Sequence, residues 1–137
     1  MKKFPEIIPI FPLSGVIYFP KTNLPLNIFE KRYLDLVNNA YDNDKLMGMV
    51  QSKKENSLVY KVGCLGKISD YQETSDGRVL INLTGITRFE IMKEVTNQKK
   101  YREFEVDYKK FSKDVLDSEK LVLVSDKLNF MEKIKKF

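Results

Sequence analysis

The sequence predicts an α+β domain, mainly β, of antiparallel strands with one helix after the second or third strand and another at the C-terminus. Three observations carry this prediction. Asn82 to Ile91, NLTGITRFEI, joins two strand-like runs at Gly85. Asp76-Gly77 stands between two runs of that kind, a strong hairpin signal. Apolar residues recur at helical spacing in two places, from Phe29 to Ala40 and from Leu121 to Ile134.

The bend at Gly85 organises the rest. Arg78 to Leu83 enter it and Thr87 to Ile91 leave it, both at strand period. Glycine lets a backbone kink or bulge where a side chain would not fit. A long strand bent in this way either curls a sheet into a small barrel or forms one arm of an ordinary bulged hairpin; the pattern admits both. Gly85 is expected to take a backbone conformation closed to β-branched residues. Arg88, next to Phe89, is expected to tie backbone or carboxylates at the bend.

A length of 137 residues fits one domain that can bury a core without staples. Cys64 is the single cysteine, so no internal disulfide forms, which fits a reducing, cytoplasmic setting. It reads as a small core residue, because the chain has no histidine to activate it. The lack of histidine also excludes Ser-His-Asp and Cys-His catalysis and removes the commonest metal ligand. No catalytic, metal-binding or cofactor-binding residue is assigned. The net charge of +5, with acids mixed among the bases, admits anionic partners without demanding them. Pro5, Glu6, Pro9 and Pro12 interrupt the N-terminal apolar run, so it is not read as a secretory signal. The uncharged run from Ile7 to Pro20 is too short and proline-rich to span a bilayer.

Ile7 to Phe11 reads as an edge strand, since Pro9 cannot donate to a central ladder. Ile17 to Pro20 and Leu24 to Ile28 are further extended pieces. Phe29, Tyr33, Leu36, Val37 and Ala40 fall on one face of a helix, with Asn27 and Glu30 spaced as a capping box. The aromatic residues of this face are read as core. Leu46 to Val50 is a short buried strand. Gly63 and Gly66 permit strong twist or close strand crossing. Gly66-Lys67 is not a phosphate loop: Lys61 stands where the first glycine should be, and no Ser or Thr follows Lys67. Around Gly77 the Tyr71 and Arg78 strands pair antiparallel. From Tyr101 to Tyr108 the pattern alternates, with Phe104, Val106 and Tyr108 inward and Glu103, Glu105 and Asp107 outward. Leu121, Val124, Leu128, Met131 and Ile134 stripe the last helix, which needs something to pack on and makes a homodimer through it plausible.

Taken in order, these residues resemble a known family. The matching pieces are Pro9-Ile10-Phe11-Pro12-Leu13, Phe19-Pro20, Leu24-Pro25-Leu26-Asn27-Ile28-Phe29-Glu30, Arg32-Tyr33, Met47-Gly48-Met49, Val62-Gly63-Cys64, Gly66-Lys67-Ile68, Gly77-Arg78 and Leu83-Thr84-Gly85-Ile86-Thr87-Arg88-Phe89. Over about residues 5 to 111 the chain is similar to the N-terminal, substrate-binding domain of the Lon proteases. It is most similar to the stand-alone bacterial proteins that carry only that domain. The resemblance implies a PUA-like pseudobarrel of mostly antiparallel strands over 1–111. It also implies that 112–137 starts a helical part that continues beyond this sequence. Lon proteases carry an ATPase and a Ser-Lys protease module as well, and neither fits here, so the resemblance implies a non-catalytic chain.

The expected function is binding of unfolded or damaged polypeptides in proteolysis or protein quality control, with a separate protease as a possible partner. Candidate contacts are Phe11, Leu13, Ile17, Tyr18 and Phe19, each of which could equally be core. Gly63, Gly66, Gly77, Gly85, Arg88 and Phe89 are assigned structural roles. The alternative is RNA binding, with Lys99, Lys100 and Arg102 around a stacking Tyr101; an RNA reader would be more basic than this chain. A small-molecule enzyme ranks last, as no nucleophile–base pair is visible.

Overall fold

The longest strand determines the architecture. The computed structural model describes residues 4–13, 18, 20–51 and 61–115. They form β1 (Ile7–Leu13), β2 (Asn23–Ile28), α1 (Lys31–Asp42), β3 (Leu46–Gln51), β4 (Val62–Glu73), β5 (Val79–Val95) and β6 (Glu103–Asp107). A 3-10 turn, Lys109–Phe111, then leads into helical backbone at 112–115. The strand order is β2-β5-β4-β3-β1-β6, and β6 pairs again with β5. The ring β5-β4-β3-β1-β6 therefore closes into a barrel, and β2 hangs outside it on β5.

Closure needs one strand long enough to serve two sets of partners. The 17 residues of β5 do this. Its first part, 79–84, pairs with β2, and its last part, 90–95, with β6. Along its other side β4 runs antiparallel from Val62 to Glu73. The change of partner falls at Gly85. There Gly66 faces Gly85 while Leu65 faces Thr87, so Ile86 is the extra residue of a bulge. The expected special conformation at Gly85 is corrected: among the described glycines, the positive φ belongs to Gly77. The strand bends by gaining a residue, not by entering the left-handed region.

Gly77 takes φ +89° in the β4–β5 hairpin. Its N–H donates to the Thr74 carbonyl at 3.2 Å, and the Thr74 N–H donates to the Arg78 carbonyl at 2.9 Å. A Cβ on Gly77 would meet nothing within 4 Å, so a side chain there costs backbone strain alone. Gly77→Ala is expected to lower stability by about 1 kcal/mol, measured as a shifted urea midpoint at unchanged slope. An unshifted midpoint would show that the turn carries no strain.

β1 is not an edge strand, contrary to the reading from Pro9. It lies between β3, which it pairs in parallel, and β6, which it pairs antiparallel. The Ile10 N–H donates to the Arg102 carbonyl at 3.0 Å, on the β6 side. Backbone N–H directions alternate along a strand, so Pro9 turns its nitrogen to β3 and Pro12 to β6. Pairing with β3 begins only at Ile10, and pairing with β6 ends at Pro9. Each proline thus sits where no donor is needed. The parallel β1–β3 pair was also not foreseen; its crossover is β2 with α1.

Two apolar clusters fill the fold. Ile8, Ile10, Val50, Leu65, Phe89, Phe104 and Val106 form one. Leu13, Met47, Met49, Ile68, Val79, Ile81 and Leu83 form the other with Leu36, Val37 and Ala40 of α1. β3 places Met47 and Met49 in the second and Val50 in the first. A strand buried on both faces explains its continuous apolar run. Helix α1 follows the predicted stripe, with two corrections. Its N-cap is Glu30, and no side chain caps it, so the Asn27–Glu30 capping box is not formed. Phe29 precedes the helix and is 66% exposed, so it is not core.

Candidate functional site

β2 presents the open edge of the sheet. Among the described residues no strand pairs with its outer side. The Gly85 N–H donates to the Thr22 carbonyl at 2.9 Å, and the Gly85 carbonyl accepts the Lys21 N–H at 2.9 Å, so the Thr22 carbonyl points to β5. By alternation Leu24, Leu26 and Ile28 turn their backbone groups to β5. Asn23, Pro25 and Asn27 therefore turn theirs outward. The side chains divide the same way: Leu24 and Leu26 pack on the core, while Asn23, Pro25 and Asn27 are exposed.

The outer face of β2 and β5 next to this edge is uncharged, while on β4 the exposed Lys67 stands opposite Thr84 and the exposed Asp70 opposite Asn82. Asn82 Nδ2 donates to Asn23 Oδ1 at 3.1 Å and to Ser69 Oγ at 2.8 Å. Thr84 Oγ1 donates to Asn23 Oδ1 at 2.9 Å. Ser69 Oγ donates to the Asn82 carbonyl at 3.1 Å. Apolar surface flanks this cluster. Pro25 lies opposite Asn82, and Leu80, opposite Asn27, is 38% exposed. Phe29 is at the same end of β2. The sequence reading missed Phe29, Leu80 and the β2 edge. The signal was there in Asn-Leu-Pro-Leu-Asn, which alternates as a one-sided strand with its proline outward.

The described members of the expected contact set, Phe11, Leu13 and Tyr18, all pack in or against one core cluster and form no open surface. Phe11 is half-buried, its ring 4.5 Å from that of Tyr33. Leu13 is 7% exposed and belongs to the core, which leaves it no surface to offer a peptide. Tyr18 packs on the same cluster, and its buried hydroxyl has no hydrogen-bond partner among the described residues; burial, then the nearby Cys64, push its pKa up. Ile17 and Phe19 lie outside the described residues, as does the predicted helix beyond 115.

The residues assigned structural roles cluster on β4 and β5. Phe89 is fully buried. Its ring occupies the space above Gly48 and Gly63, where an added Cβ would come within 3.0 Å and 2.7 Å of Phe89 Cζ. Gly66 leaves room for Tyr18, whose hydroxyl would lie 2.8 Å from a Cβ there. Cys64 is buried, and burial pushes its thiol up to about 12, so it stays protonated at neutral pH.

Arg88 lies in the stretch where β5 has left β2 and not yet met β6. Asp114 fills that gap. Its Oδ2 accepts the Arg88 backbone N–H and Nε–H, both at 3.0 Å, and its Oδ1 accepts Arg88 Nη2 at 3.0 Å. The guanidinium also lies 4.7 Å over the Phe111 ring. The chain leaving the barrel is thereby fixed to the bend in β5. The hydrogen bond from Arg88 holds the Asp114 carboxyl below the usual carboxylate range. A carboxyl lowered in the folded state stabilises fully above its unfolded value, about 3.9, and loses this as pH falls through its folded value. Asp114→Asn should therefore lower the urea midpoint at pH 7, and the gap to wild type should close below about pH 4. A gap constant down to pH 2 would show that the charge is irrelevant.

The RNA-binding cluster is not presented as one. Tyr101 is 5% exposed and accepts a hydrogen bond from Asn39 Nδ2 at 2.6 Å, so it offers no stacking face. Lys99 pairs with Glu103 at 3.2 Å, and Arg102 with Glu94 at 2.8 Å. Among the described residues no group of acids, histidines and cysteines could hold a metal ion, and no helix is long and apolar enough to cross a membrane.

A small closed barrel with a pendant edge strand is the fold that the sequence resemblance implies. Comparison with known proteins gives the family. The sequence profile of the ATP-dependent protease La (LON) substrate-binding domain matches residues 7–136, and the chain belongs to that family. It is 28% identical over 103 residues to the Lon protease of Cytophaga hutchinsonii, covering 71% of this chain and 13% of that protein. To the Lon protease of Syntrophus aciditrophicus it is 28% identical over 123 residues, covering 83% and 15%. The chain thus spans a small fraction of these relatives. Among solved structures, a Lon N-terminal domain protein from Xanthomonas campestris superposes with a TM-score of 0.65 at 25% identity, over 74% of this chain and 59% of that one. The N-terminal domain of the Mycobacterium avium complex Lon protease superposes at 0.61 with 14% identity, over 74% and 54%, and shares the fold.

Proposed function

We propose that the chain is a non-catalytic polypeptide-binding module that engages unfolded or damaged proteins in the cytoplasm for a separate protease, as part of protein quality control. The observation that carries this reading is the family match, which runs through the barrel and names a substrate-binding domain. The polar, uncharged outer face of β2 and β5 supports it. Phe29, Pro25 and Leu80 supply apolar contact there, and the charges that β4 places opposite Thr84 and Asn82, Lys67 and Asp70, are of opposite sign, so the face favours clients of neither sign.

The test is calorimetric titration with a permanently unfolded polypeptide at several temperatures. Burial of Phe29 and Leu80 on binding predicts a negative heat-capacity change. Phe29→Ser and Leu80→Ser are each expected to weaken binding about fivefold or more, since burying a large apolar side chain is worth roughly 1.5–3 kcal/mol. Their unfolding midpoints should stay near wild type, because both side chains are exposed. No detectable binding by the wild-type chain would overturn the proposal.

A further inference from the structure

We propose, building on the polypeptide-binding reading, that an extended segment of the client polypeptide adds to the outer edge of β2 as a further strand, held mainly by backbone hydrogen bonds. The edge supplies them in a defined pattern. Asn23 and Asn27 each turn an N–H and a carbonyl outward, and Pro25 turns out a carbonyl alone. None of these groups has a hydrogen-bond partner within the described fold, and the three residues are exposed.

Natural edge strands are usually blunted by lysine, by inward charges or by being very short. The six residues of β2, Asn-Leu-Pro-Leu-Asn-Ile, carry no charge. The remaining protection is Pro25, which removes the middle donor of the row. Such an edge accepts a strand but holds it one rung short. Pairing through the backbone also suits the substrate class, because every extended segment without proline presents the same donors and acceptors whatever its side chains. The side chains of that segment would lie beside Pro25 and Phe29, which favours apolar residues at alternate positions.

The test uses an unfolded probe peptide and a version N-methylated at every residue, titrated into wild type, Asn27→Pro and Pro25→Val at concentrations where each is monomeric by ultracentrifugation. Asn27→Pro removes an outward donor that the fold does not use, and Leu26 before it is already extended, as a residue preceding proline requires. Pro25→Val restores the missing donor. The wild-type chain is expected to bind the unmodified peptide and to lose at least about tenfold on the methylated one. Asn27→Pro should weaken binding about three- to tenfold, and Pro25→Val should strengthen it by a similar factor, as expected for one hydrogen bond. Pro25→Val keeps the test decisive if Asn27→Pro fails to fold. Equal affinity for both peptides, with Pro25→Val unchanged, overturns edge pairing and leaves polypeptide binding standing. A wild-type dimer at higher concentration that takes no peptide means that a second copy occupies the edge, and also overturns it. No binding without dimerisation overturns both readings.

Discussion

Gly63→Val is expected to leave the chain without a cooperatively folded barrel. A Cβ at Gly63 would lie 2.5 Å from Val50 Cγ2, 2.7 Å from the Met49 carbonyl oxygen and 2.7 Å from Phe89 Cζ. Side-chain ends can rotate away, but a backbone carbonyl cannot. Met49 is held from both sides, paired with Phe11 of β1 and with Cys64 of β4. Overpacking a core ordinarily costs about 1–3 kcal/mol, and a clash with fixed backbone should exceed that. Against a total stability of roughly 5–15 kcal/mol, such a loss is large. Circular dichroism with urea titration checks it. A cooperative transition at the wild-type midpoint would mean that β3 and β4 can separate freely at this point.

Phe89→Ala should lower stability by about 3–5 kcal/mol, the usual cost of emptying a fully buried phenylalanine site. The ring is wholly inaccessible, fills the space over both Gly48 and Gly63, and meets Tyr108 edge-on at 6.3 Å. Its loss leaves a cavity in the cluster that contains Ile8, Ile10 and Leu65. The two glycines beneath it should respond differently when the ring is trimmed. A Cβ on Gly48 would meet only the side-chain ends Ile10 Cδ1 at 2.7 Å, Ile8 Cδ1 at 2.8 Å and Phe89 Cζ at 3.0 Å. Phe89→Leu should therefore rescue Gly48→Ala more than it rescues Gly63→Ala, whose clash with the Met49 carbonyl remains. A double-mutant cycle reads that coupling, and equal rescue would contradict the assignment.

The β5 bend was legible because it is local. A glycine between two strand-period runs marks a bulge whatever surrounds it, and Asp76-Gly77 marks a hairpin by the same logic. What the bend does was less legible. Whether the strand closes a barrel depends on its far partners, and residues 79–84 give no sign that they pair with β2 while 90–95 pair with β6. The edge was misplaced for a related reason. Pro9 and Pro25 look alike in sequence, but a proline nitrogen excludes a partner only if one would stand on that side. Pro9 is spared by register, whereas Pro25 lies on the true edge.

Side-chain roles failed where burial is tertiary. Tyr101 sits among Lys99, Lys100 and Arg102 in sequence, yet the hydrogen bond from Asn39 of α1 turns it into the core. Phe29 was expected on the buried face of α1 but is open, because it stands just before the N-cap Glu30 and outside the helix; Leu13, offered as contact or core, is core. Arg88 was expected to tie a carboxylate near the bend. That the carboxylate belongs to Asp114, which anchors the chain leaving the barrel, no local pattern reveals.

The most direct test of the central claim is fluorescence anisotropy of the purified chain with two labelled ligands, an unfolded polypeptide and a single-stranded RNA, across a salt series. Polypeptide binding is expected to survive high salt, because apolar contact and backbone pairing are weakly screened. Binding confined to RNA and falling steeply with salt, the signature of phosphate contacts, would contradict it.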